Sequence, residues 1–207
     1  MFTGIINHTG LFKGYRRGKQ EITIEAPSII SQIEIGESLA VNGVCLSLIK
    51  KENKALFFNL SQETIQKTNL GYLRQGEILN LEQPLTLSSP LGGHLITGHV
   101  DARGKVLLIS QKRPGKRLKI SFPPELRRYF IPEGSVALNG VSLTIALLGP
   151  SSFEVELIPI TLNNSNLGNL KRGDAVNIEC DTIGKYVYNW ISKDKRQNKR
   201  KREKDMR

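Results

Sequence analysis

Few side chains in this 207-residue chain combine reactivity with a setting that marks them out. His8, His94 and His99 are the only groups whose ordinary titration falls near neutral pH, and Cys45 and Cys180 are the only thiols. No histidine pair has metal-ligand spacing flanked by carboxylates, and there is no CxxC, so neither a metal centre nor a structural disulfide is expected. Internal comparison is more informative. Val41-Asn42-Gly43-Val44-Cys45-Leu46-Ser47-Leu48 returns as Leu138-Asn139-Gly140-Val141-Ser142-Leu143-Thr144-Ile145, a shift of 97 that sets Cys45 against Ser142 and Ser47 against Thr144. Nearer the start, a shift of 94 relates Thr3-Gly4 and Gly10 to Thr97-Gly98 and Gly104, and sets His99 against Ile5. Where the copies differ, any chemistry has to be asymmetric.

The elements that hold these residues are duplicated too. The 97-residue shift also carries Thr64, Asn69, Leu70, Gly71, Asn80 and Glu82 onto Thr161, Asn166, Leu167, Gly168, Asn177 and Glu179. Two copies of this length are too long for a solenoid repeat and long enough for two small domains. Short apolar, often alternating runs at 21–25, 38–41, 55–60 and 78–81 read as strands, with counterparts at 116–122, 135–138, 152–157 and 175–178. The Asn-Gly pairs at 42–43 and 139–140 mark tight hairpin-like turns. Many short strands with glycine turns favour a small closed barrel for each half, because closure leaves no long edge. Short helices are expected over 62–69 and 160–166, and the Pro-, Ser- and Gly-rich stretch 84–93 is the connection. The expected domains are 1–90, 94–182, a terminal helix at 183–192 and a basic tail at 193–207. Ile183, Val187, Trp190 and Ile191 form an apolar stripe on that helix, either a lid on its own domain or, as the lone tryptophan favours, a subunit contact.

The net charge of +11 is concentrated at the end: residues 193–207 hold nine Lys/Arg against three Asp/Glu, +6 of the total. Such a run is usually a solvated, disordered extension, and with aromatic residues at 6% there are no basic and aromatic residues interleaved on a strand to stack bases. Nucleic acid is therefore a weak class. No signal pattern opens the chain and no apolar run reaches the roughly 18 residues of a membrane span, so a cytoplasmic protein is expected.

Seven strings, taken in order, resemble the riboflavin synthase alpha chain family. They are Met1-Phe2-Thr3-Gly4-Ile5-Ile6; Ala40-Val41-Asn42-Gly43-Val44-Cys45-Leu46; Glu63-Thr64 with Thr68-Asn69-Leu70; Gly92-Gly93-His94-Leu95 with Gly98-His99-Val100-Asp101; Gly140-Val141-Ser142-Leu143-Thr144; Leu157-Ile158-Pro159; and Asn177-Ile178-Glu179-Cys180-Asp181 with Gly184-Lys185-Tyr186. The resemblance covers residues 1 to about 190. It implies an all-β fold of two tandem six-stranded Greek-key barrels, with a C-terminal helix that helps assemble a homotrimer. It further implies the dismutation of two 6,7-dimethyl-8-ribityllumazine molecules to riboflavin and 5-amino-6-(ribitylamino)uracil by four-carbon transfer. No cofactor or metal is implied, because one substrate supplies what the other accepts. Lumazine synthase is admitted as a further partner, and no membrane is involved.

By the same resemblance, the N-half pocket uses Gly4, Ile5, Ile6, Ser38, Cys45, Leu46, Ser47, Asn59, Leu60, Ser61, Gln62, Glu63, Thr64, Gly98, His99 and Val100. The C-half pocket uses Glu133, Ser142, Leu143, Thr144, Leu157, Ile158, Pro159, Ile160, Thr161 and Leu162. His99 is the favoured acid/base or polarising group, against an ordinary hydrogen-bonded histidine. Cys45 is either a nucleophile or a small strand residue, and Ser38 either assists the attacking nucleophile or ends a turn. Three positions depart from the family, all in the C-half: Glu133 for a usual lysine, Asn139 for a usual aspartate, and Ile160 for a usual polar residue. The first two are expected to compensate as the two lost members of an ion pair. These departures keep a rival in view, a relative of the same fold that binds lumazine or flavin without turning it over.

Overall fold

The period-two pattern of each half closes on itself. The computed structural model describes residues 1–192. The first half contains β1 (His8–Arg16), β2 (Glu21–Glu25), β3 (Ser38–Val41), β4 (Val44–Glu52), β5 (Ala55–Asn59) and β6 (Ile78–Glu82). They close into a barrel in the order β1-β2-β5-β4-β3-β6. β7 (Ala102–Lys112), β8 (Gly115–Ser121), β9 (Ser135–Leu138), β10 (Val141–Leu148), β11 (Ser152–Leu157) and β12 (Ala175–Cys180) repeat that ring, every pairing antiparallel. Pairing β2 with β5 and β3 with β6 makes each barrel a Greek key.

Four strands escape a reading by alternation: β1, β4, β7 and β10, two in each half. Their patterns are broken by bulges at Phe12/Gly14, Leu48/Lys50, Val106/Leu108 and Ile145/Leu147, each of which shifts the register by a residue and so the inward-facing set. Inside, Phe12, Ile22, Ile24, Leu39, Leu48, Leu56 and Phe58 fill the first barrel, and Val106, Leu118, Ile120, Val136, Ile145, Phe153 and Val155 the second. The expected short helices are α1 (Gln62–Lys67) and α2 (Pro159–Asn164), each continued by a 3-10 turn. Ser61 caps α1 by accepting the Thr64 N–H at 3.0 Å.

Six asparagines, three from each copy, are buried where the barrels meet: Asn42, Asn69 and Asn80 with Asn139, Asn166 and Asn177. Asn42 Oδ1 accepts the Asn80 N–H and the Asn166 Nδ2–H, both at 2.9 Å. Asn139 Oδ1 likewise accepts the Asn177 N–H at 2.8 Å and the Asn69 Nδ2–H at 3.1 Å. Asn80 and Asn177 each donate across to the backbone carbonyl of the opposite turn residue, Asn139 and Asn42, at 2.9 Å. The Asn-Gly turns meet back to back: a Cβ on Gly43 would lie 2.6 Å from the Gly140 nitrogen, and all four turn residues have positive φ. Around this contact Phe2, Ile96, Ala40 and Ala137 form a small shared apolar cluster.

Two segments cross between the barrels. Thr3 and Gly4 are held by the buried Glu82 carboxylate at the end of β6, which accepts both their N–H groups and the Thr3 hydroxyl at 2.6–3.2 Å. Burial nevertheless pushes Glu82 above the usual carboxylate range. Thr97 and Gly98 are held in the same way by Glu179 on β12, at 2.7–3.0 Å. A helix over 182–192 closes the described chain. Ile183, Val187, Trp190 and Ile191 are exposed, so within one chain the stripe is no lid; Tyr188 instead meets Tyr129 edge-on. The expected tail lies outside the described residues. Among the described residues no helix is long and apolar enough to cross a membrane.

Removing one amide from the interface strands several buried donors at once. Asn42→Ala leaves the Asn80 N–H and an Asn166 amide proton without their acceptor, and is expected to cost about 3 kcal/mol in urea-denaturation stability.

Candidate active site

Alternation along β4 and β10 decides which side chains can meet a ligand. Leu46 and Leu143 point into the barrels, whereas Cys45 and Ser47, and Ser142 and Thr144, face out on the opposite side of their strands. Ser38 pairs across with Ser47, and Ser135 with Thr144, so each half presents an outward row of small hydroxyls, with a thiol in the first half only.

The crossing segments complete these rows, each on the barrel that does not carry its glutamate. The Gly98 carbonyl accepts the Cys45 N–H at 3.0 Å, and a Cβ on Gly98 would meet Cys45 Cβ at 2.5 Å. Val100 packs on the first core, and His99 beside it is exposed. At the equivalent place the Gly4 carbonyl accepts the Ser142 N–H at 3.0 Å, and Ile6 enters the second core. Gly4, Ile5 and Ile6 therefore belong with Ser142 in the C-half, not in the N-half pocket. The cause is tertiary: Glu82 fixes Thr3 and Gly4 at the domain junction, and the chain passes over β10 before it turns into β1.

His94, part of the Gly92-Gly93-His94-Leu95 string but not among the expected site residues, is a further candidate. Its Nδ1 lies 2.7 Å from Ser142 Oγ, and its Nε2 is buried without a hydrogen-bond partner. Its N–H donates to the Thr3 carbonyl at 3.2 Å, and Gly93 packs against Ser142, which seats the ring in the C-half site. Burial lowers the His94 pKa, against the opposing pull of Asp181, so the imidazole is neutral near pH 7. The signal lay in the repeat. His94 falls in the connection between the two matched blocks, four residues before the Gly98 that aligns with Gly4.

The remaining expected residues lie on separate elements. Asn59 ends β5, Leu60 is buried in the first core, and Ser61, Gln62, Glu63 and Thr64 form the cap and first turn of α1. Leu157 is buried in the second core, while Ile158, Pro159, Ile160, Thr161 and Leu162 form the cap and first turns of α2. Among the described residues, no hydrogen bond joins these turns to the outward rows of β4 or β10. Glu133 is exposed in the turn before β9, its N–H donating to the Ile145 carbonyl at 3.0 Å. Asn139 lies at the other end of that strand, within the amide network. With the four residues of β9 between them, the two positions are roughly 15–20 Å apart. They are not alternatives to an ion pair, and the expected compensation does not apply.

A cleft of about 650 Å³ opens between the barrels, floored by Asn42, Asn69, Asn139 and Asn166. Its amides are already engaged with one another, so its polar floor has little left to offer a ligand. The outward rows, with their hydroxyls and a half-buried imidazole bonded to one of them, are the chemically equipped surface.

The lumazine-binding domain family model matches twice, at residues 3–84 and 97–181. The riboflavin synthase of Mycobacterium tuberculosis is 37% identical over 193 residues, covering 90% of this chain and 96% of that protein. The riboflavin synthase of Actinobacillus pleuropneumoniae is 34% identical over 195 residues, covering 93% and 91%. This chain belongs to the riboflavin synthase family. Among solved structures, LumP complexed with riboflavin superposes with a TM-score of 0.80 at 25% identity, covering 87% of this chain and 99% of that one. LumP complexed with 6,7-dimethyl-8-(1'-D-ribityl) lumazine superposes at 0.77 with 25% identity, over 86% and 98%.

A half-buried histidine held neutral leaves a trace in the pH dependence of stability. With the folded pKa below 6.5, the unfolded chain takes up the proton first, so the folded state is fully favoured above pH 6.5 and loses stability as pH falls towards the folded value. His94→Gln is expected to flatten that slope, read as the difference in unfolding free energy between about pH 7.5 and about pH 5.5.

Proposed function

We propose that this chain catalyses the dismutation of 6,7-dimethyl-8-ribityllumazine: one molecule passes a four-carbon unit to a second, giving riboflavin and 5-amino-6-(ribitylamino)uracil. The observation that carries this reading is a pair of equivalent outward sites whose chemistry differs, Cys45 with His99 on one barrel and Ser142 with His94 on the other. A reaction between two copies of one molecule needs two similar pockets, with donor and acceptor treated differently. Identity of 31–37% to riboflavin synthases over most of the chain favours turnover over mere binding of the kind seen in the LumP complexes.

The chemistry requires removal of a proton from an acidified ring methyl, addition of a nucleophile to an electrophilic ring carbon, and elimination from the joined intermediate. Holding two ring systems face to face supplies much of the acceleration by proximity. With its Nδ1 unprotonated, His94 accepts the Ser142 hydroxyl proton and sharpens that oxygen towards the ring. We assign to His99, exposed and next in the chain to the Gly98 whose carbonyl accepts the Cys45 N–H, a proton exchange with a ligand on the first barrel. Ser38, paired opposite Ser47, backs that site, with Cys45 as its thiol.

The two sites of one chain sit on different barrels, and each is open. We assign the exposed helix face carrying Ile183, Val187 and the 75%-exposed Trp190 to contacts in a homotrimer, which would bring the first-barrel site of one subunit against the second-barrel site of its neighbour. We assign the enzyme to the cytoplasm.

Purified protein incubated anaerobically with the lumazine and no added cofactor is expected to form riboflavin and the pyrimidine in equal amounts, one of each for every two substrates consumed. Lumazine that binds and persists would make the chain a binding protein. His99→Ala is expected to lower kcat about ten-fold or more with a smaller change in KM; unchanged turnover would remove its proton-exchange role.

A further inference from the structure

The two crossing segments are not held alike. Thr3-Gly4 and Thr97-Gly98 are each anchored by a glutamate at one end, and the second is also held by an ion pair at the other. Between Val100, which packs on the first core, and Ala102, which packs on the second, the chain turns back at Asp101. The Asp101 N–H donates to the Ile178 carbonyl at 2.9 Å, and Oδ2 accepts the Cys180 N–H at 2.8 Å. Lys185 Nζ then closes on both carboxylate oxygens, 2.7 Å from Oδ1 and 2.6 Å from Oδ2, in a pair that leaves the side chains only 26% and 20% exposed.

Lys185 lies on the terminal helix, two residues after Ile183, whose N–H donates to the Asp181 carboxylate at 2.9 Å. The ion pair thus joins the seat of that helix to the stretch of backbone that carries His99. In the first copy the 94-residue shift puts Asn7 in the place of Asp101, and β6 is followed by the Pro-rich connection instead of a helix. Among the described residues, no hydrogen bond to the Asn7 side chain takes the place of the pair.

We propose that Asp101 and Lys185 are a positioning pair that fixes Gly98, His99 and Val100 against β4 and makes the first-barrel site depend on the docked terminal helix. Neither group touches the reacting atoms. They act through the backbone two residues before Asp101, and a displacement of about 1 Å at a reacting group is enough to lower a rate by up to about a hundred-fold. The C-half site, whose segment runs on into β1 without such a pair, is independent of it. The proposal rests on the functional reading above for its catalytic consequence only.

The test uses the full chain. Asp101→Asn and Lys185→Met are each expected to lower kcat about ten-fold or more with little change in Tm, Lys185→Arg to retain most of the activity, and the double variant D101N/K185M to be no slower than the slower single. Titration with the lumazine, followed by its fluorescence, is expected to show one of the two sites per chain weakened in D101N and the other unchanged. Unaltered kcat in both singles, losses that multiply in the double variant, or equal weakening of both sites together with a lower Tm would overturn the pair's positioning role. If the wild-type chain binds the lumazine without turning it over, the functional reading fails while the titration still decides the pair: selective weakening supports it, and two equally affected or unaffected sites overturn it.

Discussion

Everything in this molecule is arranged around a buried polar contact between two copies of one barrel. Six asparagine side chains at the junction are shielded from water, so each amide has to find partners within the protein. Asparagine solves this under duplication, because its side chain carries both a donor and an acceptor. The same residue on either side of a pseudo-twofold axis can give to its counterpart's neighbours and accept from them. The paired bonds from Asn80 and Asn177 to the opposite turn carbonyls have that reciprocal form. A network of this kind tolerates little sliding, since a small displacement would leave several groups unsatisfied together.

That fixed junction lets short crossing segments do positional work. Glu82 and Glu179 sit at the ends of equivalent strands and gather equivalent backbone donors, which aims the Gly4 and Gly98 carbonyls at Ser142 and Cys45 on the other barrel. The glycines are needed because the two backbones approach too closely for a Cβ. Each outward site is consequently built from both copies. A residue on a crossing segment packs on one barrel while the glutamate that anchors it belongs to the other.

Duplication supplied two matching scaffolds, and the differences between them make the two outward sites chemically unlike. Cys45 against Ser142 and His99 against Ile5 are visible substitutions, while His94 comes from the connection between the copies. The sites remain open on the described chain, as does the apolar face of the terminal helix.

The sequence by itself determined the duplication, the barrels and the family. A shift of 97 residues is a property of the chain, and strands such as β2, β5 and β11 advertise themselves through local composition. Local signals also marked the Asn-Gly turns and the two short helices, because turn chemistry and capping are settled within a few residues. Register-shifting bulges hid β1, β4, β7 and β10, since one inserted residue changes which side chains face inward. Only the tertiary structure decided that the segment Gly4-Ile5-Ile6 lies against the second barrel, that His94 meets Ser142, and that Asn139 belongs to the interface between the barrels. Each of these is a contact between residues far apart in the chain, fixed by the buried amides and glutamates at the junction, and no periodicity in the sequence records it.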